Sequence, residues 1–211
     1  MTHTPTEAAR PRRKRVVKSP DDRRADILAA GRRVFATIGF ADCTIDDLAA
    51  AAEIGKGTFY RHFESKDHLL GALWERYVDA IAEITQDALA RGVPGDWWAP
   101  MGEALAMLVR HAVANAGLHR IVYGSANAAA LEICKQANVR VMDLFCEYVT
   151  RGAADGAFQA RHPAIAFRIA YHGIDGLLDE MITGGEPIDT GELAADVLQL
   201  VRRALTPRPG E

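Results

Sequence analysis

Apolar residues recur at the spacing of an α-helix along almost the whole chain, and this spacing limits the possible folds most. In the first such segment Leu28, Phe35 and Ile38 share one face of a helix that starts near Asp22. Similar spacing continues to Leu205, and no segment sustains the alternation of apolar and polar residues typical of a half-exposed strand. The pattern therefore predicts an all-α fold of about nine helices.

Capping residues and glycines predict the ends of these helices. Gly39 ends the first helix, Thr44 caps the second with Asp47 in an imperfect capping box, and Ser65 caps a long fourth helix that ends around 91–95. A tight turn at Ile54-Gly55, which the flexibility of Gly55 permits, leads to a third helix over about 56–63. The remaining helices are predicted over 98–116, 118–125, 127–153, 164–183 and 190–205.

Charge is distributed unevenly. The chain of 211 residues is 49% apolar, 25% charged and carries a net charge of −3. Residues 1–70 contain 13 Lys+Arg against 10 Asp+Glu, and the remainder contains 12 against 18. A basic N-terminal part joined to an acidic remainder is expected when only the N-terminal part binds a polyanion. A basic tail that arose by chance would give the same charge counts.

Several classes of protein are excluded by what the sequence lacks. It has no apolar run of about 18 residues and no signal-peptide pattern, so we expect a cytoplasmic protein without membrane contact. Cys43, Cys134 and Cys146 form no C-x-x-C pair, which argues against a disulfide scaffold or a structural zinc. The histidines and cysteines of the second half show no convincing ligand spacing, so no metal or cofactor is predicted.

The stretch GKGTFYRHFESKDHLL, residues 55–70, suggests two different sites. A phosphate-binding loop of the Rossmann type would need G-x-G-x-x-G directly after a buried strand, but here the third glycine and the strand are missing. A helix-turn-helix needs two short helices joined by a tight turn, and residues 44–63 have that length and pattern. We therefore predict that this stretch contains a DNA-recognition helix.

The residue types on this helix suit DNA. Phe59 and Phe63, one turn apart, should enter the core, and Gly57 keeps the tip of the helix bare for a close approach. Lysine and arginine bind guanine edges or phosphates, threonine a thymine methyl or a phosphate, and a tyrosine hydroxyl a phosphate. The residues left for the outer face, and for the start of the fourth helix, are Lys56, Thr58, Tyr60, Arg61, His62 and Lys66.

The run from Arg24 to Leu70 resembles the N-terminal domain of the TetR family of bacterial transcriptional regulators. The matching motifs are ILAAGRRVFATIGF, TIDDLAAAAEIGKGTFYRHF and SKDHLL. The resemblance implies a homodimer that grips a palindromic operator, and a helical C-terminal domain that binds a small molecule and thereby releases the DNA. It also implies roles for single residues: phosphate contacts at Thr44, Tyr60, His62 and Lys66, an approach to bases or backbone at Lys56 and Gly57, and base reading at Arg61.

Two positions depart from the family's pattern. Glu53 and Ile54 replace the more usual turn residues, so the Glu53 carboxylate must point away from DNA. Ile45 stands where many members carry a second threonine, which leaves no phosphate contact there. For the other positions ordinary alternatives stay open: Tyr60 can pack on the first helix, His62 can cap locally and Lys66 can be a solvated charge.

The last two helices carry the predicted dimer interface. Stripes at helical spacing indicate a surface where two helices of each subunit meet, although the same stripes could face the core of their own subunit. The stripe of the preceding helix consists mainly of small residues that allow close approach. The predicted interface residues are Ala166, Ala170, Gly173, Leu177, Leu193, Val197, Leu198, Val201 and Leu205.

The helices between about 98 and 150 supply a predicted ligand pocket. Its residues combine apolar and aromatic side chains with a few polar ones, which is also the composition of a plain helical core. The acidic balance of this half favours a cationic or neutral ligand over an anionic one. The candidate residues are Trp98, Met101, Leu105, His111, His119, Tyr123, Leu131, Met142 and Phe145.

Together these patterns predict a disordered basic arm over 1–20, a helix-turn-helix domain over 21–68, a ligand-binding and dimerisation domain over 69–206 and a disordered tail over 207–211. We expect a ligand-responsive regulator, most simply a repressor, that binds its operator as a homodimer. The alternative is an all-helical enzyme or binding protein that uses the C-terminal pocket. No Ser/His/Asp, Cys/His or paired-carboxylate motif is readable in the sequence, so catalysis is not predicted.

Overall fold

A computed structural model describes residues 19–91 and 95–206 of the chain. Over these ranges it is all-helical, as the periodicity predicts, with nine helices and no strand. The helices are α1 Pro20–Thr37, α2 Ile45–Ala51, α3 Lys56–Tyr60, α4 Lys66–Ala90, α5 Trp98–Ala114, α6 Ala116–Gly124, α7 Ala128–Ala154, α8 Pro163–Gly184 and α9 Thr190–Leu205.

The predicted helix ends agree with the structure to within two residues, except at the end of α3. Helix α1 starts at Pro20, because the Ser19 hydroxyl accepts the Asp22 N–H and caps the helix before the expected start. Residues 19 and 20 are therefore ordered and do not belong to a disordered arm, whereas 1–18 and 207–211 lie outside the described residues. Helix α3 ends at Tyr60, three residues earlier than predicted.

Helices α1, α2 and α3 pack around the first turn of α4 through a core of phenylalanines and leucines. Phe35 and Phe40 meet edge to face with ring centroids 5.3 Å apart. Gly39 has a φ of 92°, a left-handed conformation that glycine adopts without strain, and it ends α1 as predicted. The buried large side chains of this core are Ile27, Phe35, Phe40, Leu48, Phe59, Phe63, Leu69 and Leu70.

Helix α4 runs from this core into the second half of the molecule, where it packs against α5 and α7. A Cβ atom on Gly71 would lie 2.5 Å from Ile133 Cγ2, so the missing side chain sets how closely α4 and α7 approach. Helix α9 covers α5, and α8 packs against α6, α7 and α9. Because α4 is continuous from Lys66 to Ala90, the predicted boundary at residue 68 falls inside a helix shared by both halves.

Candidate nucleic-acid interface and ligand cavity

Helix α2 begins with a complete capping box. The Thr44 hydroxyl accepts the Asp47 N–H at 3.3 Å, and the Asp47 carboxylate accepts the Thr44 N–H at 2.8 Å. The sequence suggested only an imperfect box, because aspartate is shorter than the usual glutamate, but its carboxylate still reaches. These hydrogen bonds hold the Thr44 side chain at an exposed position at the start of the helix.

The turn after α2 is built on Glu53, not on Gly55. Glu53 has a φ of 52°, whereas Gly55 has a φ of −81° that any residue adopts. The Glu53 N–H donates to the Ala50 carbonyl and the Ile54 N–H to the Ala49 carbonyl, the pair of hydrogen bonds of a Schellman motif. The role predicted for Gly55 is therefore corrected: a non-glycine residue takes the left-handed position, and its side chain is exposed.

Helix α3 is buried on one side and exposed to solvent on the other. Phe59 and Phe63 are buried as predicted, 0% and 3% exposed, and their rings contact each other. On the outer side Tyr60 is 53% exposed, and Lys56 and Arg61 are exposed as well. An added Cβ on Gly57 would meet no atom within 4 Å, so the tip of α3 is bare.

The outward basic residues of α3 are held by neighbouring side chains. Lys56 Nζ lies 2.8 Å from an Asp46 carboxylate oxygen, and this hydrogen bond raises the pKa of the lysine above its ordinary value. Arg61 Nη2 donates to the Thr58 hydroxyl at 3.2 Å. Both cations stay solvent-accessible, so an incoming phosphate or base edge would compete only with weak surface contacts. Thr58 and His62 are half-buried beside them.

Lys66 is tied to the loop before α2. Its ammonium group donates to the carbonyls of Phe40, Ala41 and Cys43 at 2.8, 2.9 and 3.1 Å. It also lies 4.9 Å from the centre of the Phe40 ring. Since an ammonium has only three N–H donors, all of them are used inside the protein. The phosphate contact predicted for Lys66 stays a prediction, but the structure gives this side chain a folding role that the sequence did not reveal.

A cavity of about 550 Å³ lies between α6, α7 and α8. Its wall includes Tyr123, Leu131 and Met142, three of the residues predicted for the pocket. A narrow inner extension continues toward α4 and is lined by Trp74, Tyr77 and the predicted residue His119. The mouth carries exposed side chains on α7 and α8, among them Lys135 and Arg168.

The other predicted pocket residues lie elsewhere, and their assignment is corrected. Trp98 packs against Phe158 and under Arg202 and is not part of the cavity wall. Met101, Leu105 and Phe145 are core residues with exposures of 0%, 1% and 0%. His111 stacks on the outer side of Tyr77 with ring centroids 4.7 Å apart. Helical periodicity identified these side chains as inward-facing but not which inner space they border.

Hydrogen bonds organise the inner end of the cavity. His119 bridges two helices, with Nδ1 2.6 Å from an Asp179 carboxylate oxygen and Nε2 2.9 Å from the Tyr77 hydroxyl. Beside it Trp74 Nε1 donates to Asn138 Oδ1 at 2.8 Å. The Asn138 amide group in turn donates to the Tyr123 hydroxyl at 3.2 Å. No local pattern marks Tyr77, Asn138 or Asp179 as site residues, because their partners are 42, 64 and 60 residues away.

The predicted dimer stripe is only partly available to a second chain. On α9, Val197, Val201 and Leu205 are 4%, 0% and 0% exposed because they pack into their own subunit, so their assignment to the interface is corrected. Leu193 and Leu198 are half-buried against the same core, and on α8 Ala170 is buried and Ala166 half-buried. Gly173 and Leu177 are exposed as the prediction requires.

An exposed apolar stripe, which the sequence analysis missed, runs beside Gly173 and Leu177 on α8. Ile165 and Ile169 are 57% and 69% exposed, and with Gly173 and Leu177 they follow one another at intervals of four residues. On α9 Leu200 is 50% exposed. We call Ile165, Ile169, Gly173 and Leu177 the α8 stripe; it is an apolar surface that no described residue covers.

This architecture defines a class of protein: a helix-turn-helix joined by one long helix to an all-helical domain with an internal cavity. Residues 27–73 match the family model described as bacterial regulatory proteins, tetR family. This match shows that the N-terminal segment of the chain is similar to that family. The chain spans about half the length of the curated relatives it matches.

The HTH-type transcriptional regulator EthR of Mycolicibacterium smegmatis is 34% identical over 102 residues, which are 43% of this chain and 47% of that protein. A TetR-family regulator structure from Mesorhizobium loti superposes with a TM-score of 0.69 at 15% identity, covering 89% of this chain and 98% of that one. FadR of Bacillus subtilis, in complex with stearoyl-CoA, has a TM-score of 0.67 at 20% identity, covering 84% and 96%. At these identities the structures show a shared fold. None of the helices in residues 19–91 and 95–206 combines the length and the hydrophobicity that a membrane-spanning segment requires.

Proposed function

We propose that this protein is a ligand-responsive transcriptional regulator that binds a palindromic DNA operator as a homodimer. The observation that carries the proposal is the open outer face of α3, where Lys56, Tyr60 and Arg61 are exposed above a phenylalanine anchor inside the TetR-matching segment. Residues 21–68 would bind DNA, and residues 69–206 would bind the ligand and the second subunit. Such a protein acts where chromosomal DNA is, in the bacterial cytoplasm.

The proposed DNA contacts divide into two kinds. Lys56 and Arg61 would reach base edges from the tip and the end of α3, and Gly57 would let the backbone approach the groove. The side chains of Thr44, Thr58, Tyr60 and His62 would bind phosphates and fix the register. Lys66 would act mainly by holding the loop before α2, on which Thr44 depends.

The α8 stripe supports the proposed homodimer. Two copies of an apolar stripe that includes a glycine can pack closely across a two-fold axis, together with the exposed Leu200 of α9. The mouth of the cavity lies on the neighbouring face of the same helix, at Arg168, His172 and Gly176. A ligand in the cavity would therefore contact α8, the helix that would set the geometry of the proposed dimer.

Helix α4 offers the route from the cavity to DNA. Trp74 and Tyr77 line the inner cavity, while Lys66 at the start of the same helix holds the loop before α2. A second link joins Arg32 of α1 to Asn115, at the start of α6, at 3.3 Å. We propose two subunit arrangements, with the ligand favouring the one whose DNA-binding domains do not span both half-sites. That mode of action is that of a repressor.

The alternative is an enzymatic function. It would be favoured by the hydrogen-bonded series Asp179, His119 and Tyr77, which resembles a catalytic triad. A tyrosine hydroxyl attacks most readily when its pKa is lowered, although a general base can also activate it. Burial, followed by the nearby carboxylates Asp175 and Asp179, raises the pKa of Tyr77 instead. We therefore propose that these residues organise a binding cavity and that the protein is not an enzyme.

Binding to the DNA upstream of the protein's own gene tests the proposal. In fluorescence anisotropy, a palindrome from that region should bind more tightly than a scrambled duplex, and log K should fall with log salt by about 0.9 per phosphate contacted. Arg61→Ala should lower the preference for one base pair by about 1–3 kcal/mol. Arg203→Ala, an exposed arginine on α9, is the matched control and should change neither quantity. Equal affinity for both duplexes would refute the proposal.

A further inference from the structure

Two polar groups on the cavity wall have no partner inside the protein. Tyr171 and Asp175 lie one turn apart on α8, and both line the cavity and its inner extension. Tyr171 is only 7% exposed. Over residues 19–91 and 95–206, neither the Tyr171 hydroxyl nor the Asp175 carboxylate forms a hydrogen bond or an ion pair with another side chain or the backbone. Two such groups side by side indicate a site that a ligand completes.

The neighbouring charges leave Asp175 uncompensated. Asp179, one turn further along α8, is held by His119 at 2.6 Å. The basic residues of the mouth, Lys135 and Arg168, are exposed and form no ion pair with Asp175. His172 is also exposed at the mouth. A carboxylate facing a cavity without a counter-charge costs free energy, and burial accordingly raises the pKa of Asp175 to about 6, with Asp179 adding to the rise and His119 opposing it.

The rest of the wall suits an apolar body. Met142 is buried and Leu131 and Tyr123 are half-buried around the cavity, and the aromatic side chains of Trp74 and Tyr77 line its inner extension. Aromatic rings attract cations through their faces and still accept hydrocarbon. A cavity of about 550 Å³ has the size of sites that enclose a small organic molecule.

We infer that the cavity binds a hydrophobic amine in its protonated form, with the ammonium group at Asp175 and Tyr171 and the apolar body among Tyr123, Leu131 and Met142. The ammonium N–H groups donate to the Asp175 carboxylate and to the Tyr171 hydroxyl oxygen, the two acceptors that the protein leaves free. An anionic head at the same place would face both Asp175 and Asp179. The inference rests on the proposed function, for which it specifies the chemical class of the effector.

A set of probes that differ mainly in charge tests this inference. The probes are 4-phenylbutylamine, 4-phenylbutanol and 4-phenylbutyrate, a cation, a neutral molecule and an anion with the same ring and a similar chain. Isothermal titration with the full chain at about pH 7.5, where the Asp175 carboxyl is ionised, should give about tenfold or tighter binding of the amine than of the alcohol. The acid should bind more weakly than either.

Variants test whether the preference for the amine depends on Asp175 and Tyr171. Asp175→Asn removes the charge at nearly constant shape and should bring the amine within about threefold of the alcohol. Tyr171→Phe should weaken the amine and leave the alcohol unchanged. Asp196→Asn removes an exposed carboxylate on α9, outside the cavity, and should leave all three probes unchanged. Because Asp175→Asn removes an unpaired charge, the variant should fold.

Several outcomes would overturn the inference: equal binding of amine and alcohol, an unchanged amine affinity in Asp175→Asn, or tighter binding of the acid. If the acid binds most tightly and Lys135→Gln or Arg168→Gln abolishes that binding, the ligand is an anion and its site is the basic mouth of the cavity. DNA binding of the same preparation separates this failure from that of the proposed function. Operator binding without amine binding refutes the ligand class alone, whereas amine binding without operator binding refutes the regulator.

Discussion

Glu53 holds a backbone conformation that side-chain-bearing residues rarely adopt. Its φ of 52° lies in the left-handed region, where a Cβ atom crowds the following carbonyl. The Schellman hydrogen bonds from Glu53 and Ile54 require that conformation after α2. The strain falls in the turn that sets the angle between α2 and α3, so this residue affects both the stability and the geometry of the helix-turn-helix.

Replacing Glu53 by glycine should therefore stabilise the protein. We expect Glu53→Gly to raise the free energy of unfolding by up to about 1 kcal/mol, since the relief of strain exceeds the entropy that glycine gains in the unfolded chain. Denaturant titration measures the change. Ala50→Gly, at an exposed position inside α2, is the matched control and should cost up to about 1 kcal/mol. A loss of stability in Glu53→Gly would mean that the turn is not strained.

Ionisation of Asp175 should lower the free energy of unfolding as the pH rises. Its pKa in the folded protein is raised to about 6, chiefly by burial, so between about pH 4 and pH 6 the folded chain holds more protons than the unfolded chain. The free energy of unfolding therefore decreases across that window. Asp175→Asn cannot ionise and should be more stable than the natural chain by about 1–3 kcal/mol at about pH 7.5, and equally stable below about pH 4.

Thermal or denaturant unfolding of both proteins at several pH values measures this difference. Asp196→Asn, on the exposed side of α9, should follow the natural chain at every pH. A difference between Asp175→Asn and the natural chain that does not depend on pH would show that the carboxyl ionises normally.

At the scale of elements, α8 serves two surfaces at once. Tyr171 and Asp175 face the cavity, while the α8 stripe faces away from the subunit. If the α8 stripe is the proposed dimer contact, this helix would transmit a change in the cavity to a second subunit without any intervening element. This arrangement depends on the stripe being the dimer interface, which a single charge can test.

Ile169→Glu should convert the dimer to a monomer. Ile169 is 69% exposed in the single chain, so the substitution disturbs no core contact, but across a two-fold axis it would bury two like charges. Sedimentation should show a dimer for the natural chain and a monomer for the variant. Ile38→Glu places the same change on an exposed isoleucine of the DNA-binding domain and should leave the dimer intact. A dimeric Ile169→Glu would place the interface elsewhere.

Local signals predicted most of the elements well. Thr44, Ser65 and Gly39 act as the caps and the stop that their residue types indicate. Gly and Pro also mark the turns before α8 and α9, whereas the break between α5 and α6 falls at Asn115 and Gly117 lies inside α6. The faces of α9 were predicted less well, because a stripe of Val197, Val201 and Leu205 shows that one face is covered and not which helix covers it. Here α5 of the same subunit covers it.

The candidate cavity could be predicted only in part for the same reason. Tyr123, Leu131 and Met142 were identified as inward-facing residues and do line it. Asp175 and Tyr171 escaped notice, because nothing local distinguishes an acidic residue that faces a cavity from one that faces solvent. Their role follows from the packing of α8 on α6 and α7, which brings distant residues together.

At the scale of the whole molecule, α4 and α8 connect the exposed outer face of α3, the cavity and the uncovered α8 stripe. The asymmetry of charge fits this arrangement, since the basic residues concentrate in the first 70 residues and the acidic ones in the remainder. The proposed coupling between the cavity and α3 runs through α4 and through the proposed dimer contact of α8, so that a ligand would change how two subunits sit on DNA.

Selection of binding sites from a pool of random DNA duplexes tests the central claim most directly, because it assumes no particular operator. The full chain should enrich an inverted repeat, with two half-sites related as the two subunits of a dimer are. Arg61→Ala should enrich the same inverted repeat with a weaker base preference at one position. Ile169→Glu should not enrich the repeat. Enrichment of no sequence by the natural chain, or of a site without two-fold symmetry, would contradict the account.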